Sequence, residues 1–357
     1  MAFVFLDGLT LRYGDVVAVK DVTLEIEEGE YCVLLGPSGC GKTSILRMIA
    51  GFVRPEKGRI YLAGRDITDL YPGDRGVSMI FQNFALYPHL TVFGNLAFPL
   101  WAAKAPKEEV RKRVEEIARM LHIEDLLDRY PRELSGGQQQ RVAVGRALVR
   151  KSDLLLMDEP LGNIDAKLRV EMRAQLKRLQ RDLGITVIHV THDQLEAQAV
   201  ADKIVVMNEG MILQIGSPED VYYHPKNLFV AGFVGTPAMN FIEGEISKGT
   251  FLSKVFELPL PEGMELEDGR EVVLGIRPEH LKISLSPFPG SLHARVYVVE
   301  PQGGEMIVDV RIEGMIWRVR CSREDLGSVP EQEQDVWIQI PPQLVHIFDK
   351  ETGKAYL

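Results

Sequence analysis

The chain has 357 residues, 45% of them hydrophobic and 26% charged, and a net charge of −10. Its pI is near 5.4. That length has room for two or three domains, and the acidity argues against a dedicated nucleic-acid binder, which carries a basic stripe or domain. No apolar run approaches the roughly 20 residues that cross a bilayer. The opening Met1-Ala-Phe-Val-Phe-Leu-Asp7 lacks a basic region, a long apolar core and a cleavage site. A cytosolic location is therefore expected, with any membrane role supplied by a partner. Cys32, Cys40 and Cys321 are too few and too scattered for a disulfide framework or a metal site.

In chain order, Leu11-Arg-Tyr13-Gly14, Val16-Val-Ala-Val19 and Val22-Thr-Leu-Glu-Ile26 alternate and turn as a β-hairpin region would. Tyr31-Cys-Val-Leu-Leu35 reads as a buried strand. After a glycine-rich stretch, Ile45, Leu46 and Ile49 fall at helical spacing and stop at Gly51. Val110, Val114, Ile117 and Leu121 predict a helix beyond Pro106. Leu168, Met172, Leu176, Leu179 and Leu183 predict another, ended by Gly184. Ile185-Thr-Val-Ile-His-Val190 is a short, β-branched buried strand. Lys203–Met207 and Met211–Gln214 flank Asn208-Glu-Gly210 as a hairpin. Strands alternating with helices give an α/β domain with a largely parallel sheet.

Near residue 235 the helical periods disappear. Glu271–Gly275, Ala294–Val299, Met306–Ile312 and Met315–Arg320 alternate as strands, with Glu313-Gly314 as a two-residue turn. This predicts a separate all-β domain built as a small barrel. The expected division is 1–235 and 236–357.

The chemistry concentrates in Gly36-Pro-Ser-Gly-Cys-Gly-Lys-Thr43, which fits the phosphate-loop pattern without a mismatch. A strand precedes it and a helix follows, the context that gives the pattern meaning. Its glycines, Gly36, Gly39 and Gly41, let backbone N–H groups approach a polyphosphate, and the helix N-terminus at Lys42–Ser44 adds favourable partial charge. Lys42 reaches the β- and γ-phosphates, and the Thr43 hydroxyl can ligate Mg²⁺. Pro37, Ser38 and Cys40 fill the loop's permissive positions. Phosphoryl transfer needs no covalent residue, so the Cys40 thiol is read as a small side chain. Leu154-Leu-Leu-Met-Asp158-Glu159-Pro160 is a buried strand whose charged end falls at the carboxyl edge of the sheet, where ligands of open α/β sheets bind. Asp158 can hold Mg²⁺ through water. Glu159 can orient or deprotonate an attacking water.

Leu134-Ser-Gly-Gly-Gln-Gln-Gln-Arg141 matches the signature of the ATP-binding-cassette family, and the chain resembles that family over residues 1 to about 235. The resemblance implies a helical subdomain at about 89–147 and further site residues. Gln82 resembles the Q-loop glutamine that contacts Mg²⁺ and the water. His192 in Val190-Thr-His-Asp193 resembles the switch histidine that contacts the γ-phosphate, and Tyr13 resembles the aromatic that stacks on adenine. It also implies a shared site: the phosphate loop of one copy faces Ser135, Gly136, Gly137 and Gln138 of another across ATP, with Asp165 linking the two sites. The sequence departs from the family at Gly162, where serine or alanine is more common, and at Gln139, where arginine is common.

Three further segments resemble the carbohydrate-importer subgroup. These are Phe84–Thr91 after the Q-loop, the linker Phe233–Phe241, and Gly275-Ile-Arg-Pro-Glu-His-Leu281 with His346–Gly353 in an OB-like C-terminal domain. The implied partners are a second copy, two membrane permease subunits that grip the 84–91 surface, and indirectly an extracytoplasmic solute-binding protein, on the inner face of the membrane. Mg²⁺ with ATP is the implied cofactor, and nucleic acid is excluded. Importers of polyamines, iron, sulfate or molybdate are the alternative. A soluble cassette acting on nucleic acid or ribosomes is disfavoured by the compact region between Gln82 and Ser135 and by the single cassette in the chain.

Overall fold

The computed structural model describes residues 2–150, 152–162 and 164–356. The chain divides into two compact units, Met1–Pro218 and Glu219–Leu357. Residues 219–235 therefore group with the second unit.

The first unit opens with β1 (Val4–Tyr13) and β2 (Val16–Ile26), then β3 (Tyr31–Leu35) and α1 (Lys42–Ala50). Next come β4 (Lys57–Leu62), β5 (Arg65–Asp66) and β6 (Val77–Ile80), followed by α2 (Val92–Ala102), α3 (Lys107–Leu121) and α4 (Gly136–Val149). It closes with β7 (Leu154–Asp158), α5 (Ala166–Leu183), β8 (Thr186–Thr191), α6 (Gln194–Val200), β9 (Lys203–Asn208) and β10 (Met211–Gly216). Two sheets result. The first is antiparallel, ordered β2-β1-β4-β5, and the second is ordered β10-β9-β3-β8-β7-β6. In the second, β9, β3, β8, β7 and β6 run parallel and only β10 is reversed.

Both faces of the parallel strands are covered, so they read as continuous apolar runs: every residue of β3 and β8 is buried. Helix α1 completes the core. Its Ile45, Leu46, Met48 and Ile49 share one cluster with Val4 and Leu6 of the first sheet and Leu34, Leu156 and Ile188 of the second. The C-terminal carbonyls of α1 are satisfied by Arg75, which is 3% exposed. Its guanidinium donates to Met48 O and Ile49 O at 2.7 and 2.9 Å, and to Leu70 O and Thr68 O at 2.9 and 2.7 Å. A buried arginine is tolerable here because its donors are used on carbonyls that would otherwise be orphaned.

In the second unit, α7 (Pro218–Tyr223) and α8 (Leu228–Phe233) precede the strands. The sequence reading did not include these short helices. The strands are β11 (Asn240–Ser247), β12 (Thr250–Leu252), β13 (Glu257–Pro259), β14 (Glu271–Ile276), β15 (Lys282–Ser284), β16 (Leu292–Gln302), β17 (Glu305–Ile312), β18 (Met315–Ser322), β19 (Asp335–Gln339), β20 (Val345–Asp349) and β21 (Ala355–Tyr356). They form two antiparallel sheets, β13-β12-β11-β14-β20-β21 and β15-β19-β16-β17-β18, around one core that includes Ile246, Phe251, Leu274 and Trp317. The Glu313-Gly314 turn has φ of 46° and 84°, the two left-handed residues of a tight β-hairpin. Arg277 is fully buried. It donates to Val234 O at 2.7 Å and to Tyr222 O, and lies 3.7 Å over the Tyr222 ring. The Gly275–Leu281 motif thus ties β14 to the 222–234 segment.

Candidate functional site

The parallel sheet explains why residues far apart in sequence meet. Strands β3, β8, β7 and β6 are neighbours in that order, and their carboxyl ends lie along one edge. The residues that follow are the phosphate loop, His192, Asp158–Glu159 and Gln82. Because β7 lies between β8 and β6, Glu159 falls between the other two side chains. Its Oε1 is 3.0 Å from His192 Nδ1, and its Oε2 accepts from Gln82 Nε2 at 3.0 Å. The carboxylate is held from both sides. Its backbone is held too, since Glu159 N donates to Val190 O at 2.9 Å. Glu159 has φ 46°. A left-handed non-glycine costs about 1–3 kcal/mol and persists only where its surroundings fix it.

The phosphate loop follows β3 directly. Gly41 has φ 104°, and a Cβ there would stand 2.3 Å from Ala18 O. At Gly36 a Cβ would stand 2.3 Å from Met207 O. Neither position admits a side chain. Lys42 is 5% exposed, and its Nζ donates to Gly36 O at 2.7 Å and Pro37 O at 2.8 Å. Its charge is thereby centred within the loop. Thr43 Oγ1 donates to Asp158 Oδ1 at 2.9 Å. Burial pushes the Asp158 carboxyl above the ordinary carboxylate range, and the Thr43 hydrogen bond opposes that rise. A hydroxyl and a carboxylate oxygen, side by side at a phosphate loop, are the hard donors that suit Mg²⁺.

An open cleft of about 610 Å³ lies over this edge, lined by Tyr13, Ser38, Gly39, Gly41 to Ser44, Glu159 and Glu209. Tyr13 is 47% exposed, so its ring face is available for stacking. Ser135 to Gln138 are not among the cleft's lining residues. They form the N-terminus of α4, where Ser135 and Gly136 are exposed. Ser135 N donates to Gln138 Oε1 at 2.9 Å and Gln138 N to Ser135 Oγ at 3.4 Å. This is a capping box, legible as S-x-x-Q but not read as one from the sequence. Gln139 Nε2 donates to Pro131 O at 2.9 Å, bracing the turn before Ser135. Asp165 caps α5 through Leu168 N at 3.0 Å.

Two expectations need adjustment. Phe84 is 6% exposed, so it belongs to the packing rather than to a gripping surface. It and Ala85 are both left-handed, with φ of 60° and 48°. Arg146 of α4 donates to their carbonyls at 2.8 and 2.6 Å. Gly162 has no left-handed φ, and a Cβ there would meet Glu159 O at 3.5 Å, ordinary contact. A side chain fits, and the glycine is not required by the backbone. Gly162→Ser is accordingly expected to leave the fold intact, with stability within about 0.5 kcal/mol of the parent, and any change in ATPase rate would come from its Cβ lying 3.7 Å from Glu159 Oε2. Denaturant unfolding checks the stability and a steady-state phosphate-release assay the rate. Asn163, in the same segment, lies outside the described residues.

An ABC transporter model matches residues 19–162, a MalK OB fold domain model matches 235–281, and a TOBE domain model matches 274–348. The trehalose/maltose import ATP-binding protein MalK of Thermococcus litoralis is 48% identical over 99% of this chain and 100% of its own length. The chain belongs to the ATP-binding-cassette transporter family. The xylose/arabinose import ATP-binding protein XacK of Haloferax volcanii is 45% identical over 99% of this chain and 95% of its own. The sn-glycerol-3-phosphate import protein UgpC of Yersinia pseudotuberculosis is 44% identical over 99% of each chain. Among solved structures, a dimeric ATP-binding cassette in a post-hydrolysis state with ADP and phosphate is 33% identical. It covers 60% of this chain and 98% of its own, at a TM-score of 0.54. The Clostridium perfringens ABC subunit cbiO1 is 30% identical, covering 62% of this chain and 90% of its own, at a TM-score of 0.58. The first unit is thus an ABC-type ATPase, and the second carries OB and TOBE elements.

Proposed function

We propose that this ABC ATPase drives a membrane importer for sugars or sugar-like solutes, working as an ATP-dependent pair on the cytoplasmic face of the membrane. The observation that carries the reading is identity of 44–48%, over 99% of the chain, to import subunits for trehalose/maltose, xylose/arabinose and glycerol phosphate.

ATP lies with its adenine on Tyr13 and its phosphates in the Gly36–Ser44 loop. Lys42 neutralises the β- and γ-phosphates. Thr43, Asp158 and Gln82 would hold Mg²⁺, which when bound would supply positive charge to the phosphates. Glu159 takes the proton of the attacking water, and His192 and Gln82 position its carboxylate by the hydrogen bonds at each oxygen. From a second copy, Gly136 and Gly137 bring backbone N–H groups and Ser135 its hydroxyl to the γ-phosphate, at a helix N-terminus that Ser135 and Gln138 cap. Positioning and charge neutralisation supply most of the acceleration in such a transfer. Asp165 communicates between the two sites.

The permease would meet the ATPase beside Gln82. Tyr87 packs on Phe98 with ring centroids 4.6 Å apart, and Phe98 and Trp101 are 40% and 45% exposed. Co-expression with a candidate sugar-importer permease pair from the same genome tests the reading. The chain is expected to co-purify with them in detergent, and solute-loaded binding protein should raise hydrolysis about tenfold or more. Absence of a membrane partner, with hydrolysis stimulated by ribosomes or nucleic acid, would overturn it.

A further inference from the structure

His192 is not anchored by its own side chain alone. The two residues beside it belong to a set of polar contacts, hydrogen bonds and one carboxylate–imidazole contact, that runs into the centre of the sheet. Thr191 Oγ1 donates to Glu196 Oε2 at 2.6 Å and accepts from Asp193 N at 3.0 Å. Asp193 Oδ1 caps α6 by accepting from Glu196 N at 3.1 Å. Glu196 Oε1 lies 3.2 Å from His189 Nε2, and His189 Nδ1 is 3.0 Å from Tyr31 Oη on β3. Tyr31 and His189 are fully buried and Glu196 is 3% exposed. Burial pushes the Glu196 carboxyl up, but His189, Thr191 and Arg169 outweigh it and hold the group below the ordinary carboxylate range. This flank of His192 is rooted in the core and has little freedom to move.

The other attachment differs in kind. Asp193 Oδ2 faces the Arg169 guanidinium of α5, 3.3 Å from Nη1. The same guanidinium donates from Nη2 to Ile164 O at 3.1 Å. Ile164 immediately precedes Asp165, the N-cap of α5. One planar fork therefore joins the segment that carries Asp165 to the loop that carries His192. His192 in turn is 3.0 Å from Glu159.

We propose that Arg169 is a positioning residue that couples the Asp165 segment to His192, so that a shift of that segment as a second copy arrives is relayed through Asp193 to the Glu159 site. The inference rests on the role of His192 given above. A guanidinium suits the task because its donors diverge at fixed angles and engage two acceptors on separate elements. A lysine ammonium is a point charge on a flexible stem and would satisfy one partner at a time. The bland alternative is that Arg169 only staples α5 to the sheet, in which case its loss would lower thermal stability and leave turnover alone.

The test is a mutant cycle on the intact chain, reading kcat, the KM for ATP and Tm. Asp193→Asn removes the charge but keeps a good helix N-cap. Arg169→Gln, Arg169→Lys and Asp193→Asn are each expected to lower kcat about tenfold, with KM and Tm unchanged. The Arg169→Gln/Asp193→Asn pair should fall within about twofold of the worse single variant, because one shared interaction is lost only once. Multiplying losses, an unchanged kcat, or a loss that tracks Tm or KM would overturn the proposal. His192→Ala, assayed alongside, separates the two levels of inference. If it keeps the full rate, the role given to His192 fails. If it loses the rate while Arg169→Gln keeps it, only the coupling fails.

Discussion

Glu159→Gln lowers ATP hydrolysis about a thousandfold and leaves ATP bound, within the ~10²–10⁴ range attributed to a positioned general base. The substitution is nearly isosteric, so the structure should tolerate it. The carboxylate accepts from Gln82 Nε2 at 3.0 Å and meets His192 Nδ1 at 3.0 Å. A glutamine retains one oxygen for one of these partners, and the other can reorient, because Gln82 and His192 are both exposed. What cannot be retained is the basicity. An amide does not take a proton from water at neutral pH, whereas the phosphate loop, Tyr13 and the Thr43–Asp158 pair are untouched. ATP therefore enters, bridges two copies and is not consumed. Gel filtration with ATP and Mg²⁺ should show a species near twice the 40.1 kDa chain mass. A monomer under saturating nucleotide would refute the shared site, and undiminished hydrolysis would refute Glu159 as the base.

The site was legible in sequence wherever chemistry and local geometry coincide. Gly36–Thr43 was legible because the loop's backbone admits no side chain at Gly36 or Gly41 and Lys42 must follow. Leu154–Asp158 was legible because a fully covered parallel strand is a continuous apolar run. The convergence of Gln82, Glu159 and His192 was not, because it depends on strand order. Nothing local states that β7 lies between β8 and β6, and only the family resemblance supplied it. The same limit hid the partners of Arg75, Arg277 and Arg169. Arg75 and Arg277 reach carbonyls, and Arg169 the Asp193 carboxylate, more than twenty residues away in sequence, and arginine in a polar stretch reads as surface. Tyr31, His189 and Glu196 were hidden differently: they meet one another inside the sheet, so His189 passed as one more member of a strand. The short helices at 218–223 and 228–233 are too brief to show a helical period.

Lys42→Ala abolishes tight ATP binding. The Nζ is buried and donates to two loop carbonyls, Gly36 O at 2.7 Å and Pro37 O at 2.8 Å. The loop's own geometry thus holds the ammonium among its backbone groups before any phosphate is considered. Removing one member of a desolvated, hydrogen-bonded charge pair costs about 2–5 kcal/mol, which is ~30-fold to several thousandfold in Kd. The fold should survive the change. Gly36 is buried and Pro37 half-buried, so the Gly36 carbonyl loses this donor, but α1 is held by Ile45, Leu46 and Ile49 in the core and by Arg75 at its C-terminus. Arginine is not a substitute, since its broader planar head has no room at a position 5% exposed. Lys42→Arg is therefore expected to fail as Lys42→Ala does, and its Tm should fall below that of the parent chain because the larger head overpacks the site. Titration with a fluorescent ATP analogue reads the affinity directly, and circular dichroism on the same samples confirms the fold. Unchanged affinity and unchanged turnover in Lys42→Ala would remove the phosphate loop from the mechanism, and with it the basis for placing ATP in the cleft beside Tyr13.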